Sequence, residues 1–275
     1  MLDLTVIILT YNEELHIRRC LERILPIAER VVVVDSLSTD KTKEICEEYP
    51  RVDIVEHAWP GTQAKQFNWA LDNVTIDTEW VLRLDADEYL MPGEDEKLKA
   101  MLPTLSQDIT GVTLLLERFF MGRMMKHGGT RHLRLMRLFR NGCARCEQRD
   151  MDEHTELIRG QIFRSSIRFA DDSRIPISRW IQKHIGYAER EVRDILREKE
   201  STNTANSEEI QRREAKKGFY NRLPLFLRAF AYFFYRYIIR LGFLDGKEGF
   251  LWHFMQAWWY RTLVDTILLE EKRNK

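Results

Sequence analysis

The first hundred residues switch repeatedly between short apolar runs and stretches in which apolar side chains recur every three or four positions. LTVIIL (4–9), RVVVVDS (30–36), VDIVEH (52–57) and EWVLRLDA (79–86) predict buried strands. Between them, EELHIRRCLERIL (13–25) sets Leu15, Cys20, Leu21 and Ile24 at helical spacing. STDKTKEICEEY (38–49) opens with capping-type residues, and TQAKQFNWALDN (62–73) supplies a third helix. This alternation predicts right-handed crossovers and a mostly parallel sheet flanked by helices, an α/β fold. Ligands of such sheets bind beyond the carboxyl ends of the strands.

Past residue 110 the pattern changes. TGVTLLLERFF (110–120) and RHLRLMRLFR (131–140) predict further strands, although an arginine every third residue leaves the second ambiguous, and MDEHTEL (151–157) follows. Ile181, Ile185, Ala188, Val192 and Ile195 step by four and three, so a helix is expected to begin near Pro176; the polar, aperiodic 200–209 is expected as a linker or helix break. Three segments result: 1–110, 111–175 and a helical extension over 176–275.

The polar residues fall where that topology places a ligand. Thr10-Tyr11-Asn12-Glu13, Asp35-Ser36 and Asp85-Ala86-Asp87 each end a predicted strand and so converge on one crevice. In an extended segment Asp85 and Asp87 point the same way and Glu88 the other. Two such carboxylates can chelate a hard cation, Mg2+ or Mn2+, or one can take the cation while the other bonds a sugar hydroxyl. A solvated turn is the plain alternative. No G-x-G-x-x-G follows the first strand, which argues against a dinucleotide site.

Charge adds local detail only. The 43 basic and 43 acidic residues balance, so nothing draws the whole chain toward nucleic acid. Between Glu117 and Arg149, however, basic residues dominate, as either a solvated face or a phosphate cradle, with Arg131 and Arg137 the favoured acceptor or phosphate contacts. The four cysteines are too few and scattered for a disulfide framework; Cys143 and Cys146 form a lone C-x-x-C near His127 and His132, an incomplete zinc pattern set against ordinary packing.

TYNEE, VVDSLSTDKT, QFNWAL and LDADE, in this order and spacing, resemble the nucleotide-sugar domain of family 2 glycosyltransferases, inverting enzymes of the GT-A fold. The resemblance covers roughly the first ninety residues. It implies that Thr10, Tyr11 and Glu13, with Asn12 among them, line the nucleotide pocket and that Asp35 reads the base, uracil by preference. It further implies that Asp85 contacts the ribose region, that Asp87 holds the metal, and that Ala86 lies against the donor. Asp40 is expected as a helix cap. Asn68 and Gln66 either reach the donor or anchor their loop, and Lys65 is a diphosphate neighbour or solvated surface.

Inverting transfer needs a group to take the acceptor hydroxyl's proton and no enzyme nucleophile. The candidates are Asp152 or Glu153, with His154 as an orienting neighbour; one of the three is expected to cap the following segment. Lys183-His184 is a further candidate to close the site.

LPLFLRAFAYFFYRYIIRLGFL (223–244) is long enough to span a bilayer, but its arginines oppose that. At 100° per residue Arg236 and Arg240 lie about 80° and about 120° from Arg228, so the three share one face, which suits a helix lying in a membrane interface. GFLWHFMQAWWYRTLVDTILL (249–269) adds Trp252, Trp258, Trp259 and Tyr260, residue types enriched at headgroup level. Packing as core helices or in a dimer is the alternative. No membrane-spanning run and no signal peptide is evident, so a cytoplasmic protein peripherally attached to the inner membrane is expected. The whole predicts a GT-A domain with an amphipathic helical extension. It would pass a sugar from a UDP-type donor to a lipid-linked or lipopolysaccharide acceptor in O-antigen or envelope polysaccharide synthesis. A nucleotidyltransferase and a catalytically silent membrane scaffold are the rivals.

Overall fold

A computed structural model describes residues 1–131, 133–147, 154–200 and 223–273. They form two compact units, a sheet unit of Met1–Met124 and Arg131–Arg174, and a helical unit of Met125–Thr130 and residues from Ile175 onward.

The sheet unit follows the predicted alternation. β1 (Leu2–Thr10), α1 (Ile17–Ile24), β2 (Ala28–Asp35), α2 (Thr42–Glu47), β3 (Val52–Glu56), α3 (Gln63–Asn73) and β4 (Trp80–Asp85) come first. β5 (Glu88–Leu90), α4 (Glu94–Met101), β6 (Ile109–Phe120), β7 (Arg123–Met124), β8 (Leu133–Arg140), β9 (Ala144–Cys146), β10 (Thr155–Leu157) and β11 (Gln161–Asp171) follow. The sheet order is β3-β2-β1-β4-β8-β6-β11-β5, with β7 beside β6, while β9 and β10 make a separate antiparallel pair. β1, β2, β3 and β4 are mutually parallel; β8 runs antiparallel between β4 and β6, so β6 and β11 point the same way as β1. Residues on both sides of position 110 therefore share one sheet.

The continuous apolar runs reflect burial on both faces. Val6 and Ile8 of β1 join Ile17, Leu21 and Ile24 of α1 in one core, and Ile7 and Leu9 join Ala64, Phe67 and Ala70 of α3 in another. α1 starts four residues later than its periodicity suggests, because the His16 and Ile17 amides both close onto the Glu13 carbonyl in a turn. Leu15, counted with the helical apolar set, is consequently exposed. α2 likewise loses residues 38–41 to a loop whose polar groups serve the strand ends.

In the helical unit α5 (Ile177–Glu200) begins beside Pro176 as expected, and its Ala188 and Val192 pack against Tyr260, Val264 and Leu268 of α8 (Tyr260–Arg273). Between them lie α6 (Leu227–Phe234) and α7 (Gly246–His253). π-helical turns at Tyr235–Ile239 and Phe254–Trp259 continue these helices and break the 100° periodicity. The three arginines thus do not form one exposed stripe. Arg228 is buried in an ion pair with Asp265, and Arg236 donates through Nε to the Gly128 carbonyl at 2.9 Å. Arg240 alone of the three is exposed. Trp258 is exposed and Trp259 half-buried, its ring 6.2 Å from that of Trp180. No helix among the described residues is long and apolar enough to cross a membrane.

Candidate active site

Strand register sets the expected crevice. Thr10 pairs with Asp35 across β1 and β2, and Leu9 pairs with Asp85 across β1 and β4, so three polar strand ends are adjacent. Asp35 is fully buried; it accepts from Thr10 Oγ1 (2.8 Å), the Ser38 amide (2.7 Å) and Ser38 Oγ (2.6 Å). Its carboxylate thus ties together the loops that floor the crevice. Asn12 has a left-handed backbone (φ 55°), a region that asparagine tolerates. Its amide donates to Ser38 Oγ (2.8 Å) and its side-chain oxygen accepts from the Thr39 amide (2.8 Å). The Glu13 amide donates to Thr42 Oγ1 (2.7 Å), while Asp40 accepts from the Thr42 amide (3.0 Å), close to the capping part expected of it. The loops after β1 and β2 are thereby laced together, leaving Tyr11 exposed at 58%.

Glu13 is turned to a partner that its motif did not reveal. Its Oε2 lies 2.5 Å from Nδ1 of buried His16, whose Nε2 accepts the Arg174 amide at 2.8 Å. Since Nε2 accepts, the ring proton sits on Nδ1 and points at Glu13. Glu13 thus braces the loop against the end of β11.

On the third strand end Asp85 and Asp87 are half-buried, whereas Ala86 and Glu88 are buried, so the expected alternation holds through what is a turn at 86–87. The Asp85 amide donates to Glu88 Oε2 (3.0 Å), and the Asp87 carbonyl accepts from the Asp172 amide (3.1 Å). Asp172 is itself buried and held by Arg19 and Arg174. Arg137 bonds Glu88 Oε1 through Nη2, which stands 3.7 Å from Asp85 Oδ2. Burial raises the Glu88 carboxyl above the usual carboxylate range and Arg137 opposes the rise; with an N–H on each oxygen, the geometry is that of the ionised form. Asp85 Oδ1 is buried without a hydrogen-bond partner. An orphaned carboxylate oxygen beside a second, half-exposed aspartate fits a small divalent cation that takes one or two protein carboxylates and completes its shell with substrate phosphates. No cage of three or more acidic, His or Cys ligands exists among the described residues, so phosphate ligands would be required.

Residues 5–164, which carry all three strand ends, match the profile described as "Glycosyl transferase family 2". The chain belongs to that family. It is 31% identical over 151 residues to "Lipopolysaccharide core biosynthesis glycosyltransferase LpsC" of Rhizobium meliloti, covering 52% of this chain and 53% of the relative. It is 32% identical over 81 residues to "SPbeta prophage-derived glycosyltransferase SunS" of Bacillus subtilis, covering 29% and 19%. The chain therefore spans about half or less of these relatives. Among solved structures, "Mannosyltransferase PcManGT from Pyrobaculum calidifontis in complex with GDP-Man and Mn2+" aligns over 98% of this chain and 88% of its own, with TM-score 0.55 and 18% identity. That likeness shows the fold, the GT-A architecture. The family is the one that the strand-end motifs implied, and it is described as a glycosyl transferase family.

Other expected site residues of this family 2 member sit differently. Asn68 is buried with both ends of its amide on the Cys146 backbone (2.9 and 3.0 Å), so it anchors β9 and is closed to a donor. Gln66 is spent on Ser36, His57 and the His57 carbonyl, while Lys65 is exposed. Arg131 is exposed just before β8, but Arg137 is turned inward onto Glu88 and is no surface phosphate contact. Asp152 and Glu153 lie outside the described residues. His154 is held by Glu147, whose Oε1 accepts its amide (3.0 Å) and lies 2.9 Å from its Nδ1. His184 is stacked on Trp180 and spent on its carbonyl (2.9 Å) and on Gln256 within the helical unit, which opposes a site-closing part. Cys143 and Cys146 are buried beside Arg159 and Arg83, and His127 pairs with Asp245, so no zinc set assembles among the described residues.

Proposed function

We propose that the protein is an inverting transferase that takes a sugar from a nucleoside diphosphate donor, UDP-linked by preference, and passes it to a membrane glycolipid such as a lipid-linked oligosaccharide or lipopolysaccharide core. The observation that carries this is the rim of Thr10, Asp35 and Asp85 on adjacent parallel strands, with an unpartnered oxygen on Asp85 and Asp87 beside it. The manganese and GDP-mannose of the Pyrobaculum enzyme and the lipopolysaccharide role of the Rhizobium relative support the reading.

Exposed Tyr11 offers a stacking face to the base, and the buried Thr10–Asp35–Ser38 knot holds the loop that presents it. Asp87 would hold Mg2+ or Mn2+ with Asp85 beside it, and the bound cation would offset charge on the departing diphosphate. The acceptor hydroxyl attacks the anomeric carbon as the carbon–oxygen bond to the diphosphate breaks. That bond's electrons leave with the diphosphate, and the hydroxyl proton passes to a carboxylate, Asp152 or Glu153, which precede His154 in the sequence.

A membrane location would bring the enzyme to such an acceptor. Phe226, Phe230, Phe234, Ile239, Leu244 and Leu251 are all exposed, and the exposed charged side chains between 226 and 258 are Arg240 and Lys247, both cationic. An apolar surface with a cationic fringe suits an anionic lipid interface. In this reading the protein works on the cytoplasmic face of the inner membrane.

The test is a screen of nucleotide sugars with Mn2+ or Mg2+, following thermal stabilisation and nucleoside diphosphate release. Stabilisation by one nucleotide class, lost in Asp87→Ala with the ligand-free melting curve unchanged, is expected; no response to any nucleotide would overturn the proposal.

A further inference from the structure

Glu88 follows the aspartate pair directly and yet faces inward, onto an arginine. We propose that Glu88 is a positioning residue that holds the Arg137 guanidinium off Asp85, so that the Asp85 carboxylate stays open to the donor. The inference rests on the nucleotide-diphosphate reading of this rim.

Three observations carry it. Arg137 Nη2 is hydrogen-bonded to Glu88 Oε1 and stands 3.7 Å from Asp85 Oδ2, close enough to attract and too far to bond. Asp85 Oδ1 is buried and without a partner. A guanidinium next to a half-buried carboxylate ordinarily closes on it in a fork, with two parallel N–H bonds. Here the fork is drawn aside, and Arg137 Nε is itself left without a partner, as a geometry pulled toward one carboxylate and away from another requires.

Glu88 is placed to do this by its strand. β5 pairs antiparallel with β11 in the register Glu88↔Asp171 and Leu90↔Phe169. The Phe169 ring lies under the guanidinium at 5.6 Å, and Arg137 reaches in from β8. The second Glu88 oxygen takes the Asp85 amide (3.0 Å), so one side chain fixes the Asp85 backbone and removes the competitor for its carboxylate. With Glu88 neutralised, Asp85, whose Oδ2 already lies 3.7 Å from Nη2, is the carboxylate onto which Arg137 swings.

The experiment is calorimetry of UDP binding in the presence of Mn2+, with the spin-resonance signal of bound Mn2+ as a second readout, on wild type, Glu88→Gln and the double variant Glu88→Gln/Arg137→Met. Glu88→Gln keeps the side chain's size and its acceptor for the Asp85 amide. It is expected to bind UDP and Mn2+ at least tenfold more weakly, and removing Arg137 in that background is expected to restore binding to within about threefold of wild type. Should Glu88→Gln fail to fold, Glu88→Asp keeps the charge but draws the carboxylate back by one methylene, and the same loss and the same recovery with Arg137→Met are expected. Because Arg137 then pairs with Asp85, the ligand-free melting temperature of the single variant is expected to stay within a few degrees of wild type. A merely structural Glu88 predicts that binding and melting temperature fall together and recover together; that result, or unchanged binding in the single variant, overturns the inference. Absence of binding in wild type overturns the nucleotide reading itself, and this inference with it.

Discussion

Acidification should loosen the helical unit through one side chain. The His253 imidazole is fully buried, and neither ring nitrogen has a hydrogen-bond partner. Gly128 and Gly242 press on it so closely that a Cβ at Gly128 would lie 2.0 Å from Cε1. The charged groups nearby oppose each other: Arg236 disfavours a second cation, and Asp245 favours one but is already shared with the His127 ring and the amides of Lys126 and His127. Desolvation is the larger cause, and together these lower the His253 pKa from 6.5 to about 4.

The unfolded chain therefore takes up a proton below pH 6.5 that the folded chain refuses. Stability from this group is complete above pH 6.5, falls as pH drops toward about 4, and is constant below. At pH 5 the loss amounts to about 2 kcal/mol, and fully developed it reaches about 3 kcal/mol. A local probe exists, because the Gly128 amide donates to the Arg240 carbonyl at 2.8 Å. Its hydrogen exchange, corrected for the intrinsic rate, should report an opening about thirtyfold more frequent at pH 5 than at pH 7.5 in wild type. His253→Leu, which removes the titrating group and its orphaned nitrogens, should show a change smaller by that factor. Equal pH dependence in the two proteins would refute the argument, since carboxylates elsewhere titrate identically in both.

Two further outcomes are expected. Asp152→Asn and Glu153→Gln, made separately, should differ in sugar-transfer rate by at least a hundredfold with similar affinity for the nucleotide, the loss marking the base; equal, mild effects would place the base elsewhere. Replacing Phe230, Phe234 and Leu251 together by serine should weaken sedimentation with anionic vesicles at least tenfold while leaving the melting temperature within a few degrees, because these side chains are already exposed; unchanged binding would remove the lipid reading of this face.

The sheet was legible because its strands are buried on both faces and so stand out as apolar runs, and the rim followed from which residues end them. What pattern could not show was how the rim side chains are spent. Asp35 and Asp85 both end strands, but Asp35 accepts three hydrogen bonds from Thr10 and Ser38 while Asp85 keeps an oxygen without a partner. Ser38 lies three residues beyond Asp35, a spacing at which a carboxylate commonly takes a following amide, so that contact had a signal. The His16–Arg174 bond and the Asp172 grip on the 86–87 turn span 158 and 85 positions of the chain and had none. In the helical unit the arginine face was hidden for a different reason. The 100° spacing of Arg228, Arg236 and Arg240 holds only in unbroken α-helix, and nothing in it points to the buried partner of Arg228 on another helix, Asp265.

The arginine-rich stretch shows how a charge count can point to the wrong surface. Arg134 bonds the Ser165 carbonyl, Arg137 pairs with Glu88, Arg140 with Glu79, and Arg145 with Asp72. These side chains tie β8 and β9 to neighbouring elements, and of the four only Arg137 makes a pair buried on both sides. A stripe that looked ready for phosphates is mostly committed to stitching a strand antiparallel to its neighbours into a parallel sheet. Unlike those between β1 and β4, its contacts are not backed by a βαβ crossover. Removing one partner of such a buried pair leaves the other charge stranded, at a cost of about 3–5 kcal/mol. Loss of activity on mutating Arg137 is therefore no sign of phosphate contact. Arg131, exposed at the head of the same strand and on the edge where β1, β2 and β4 end, is the member of the stretch whose removal tests the phosphate reading cleanly.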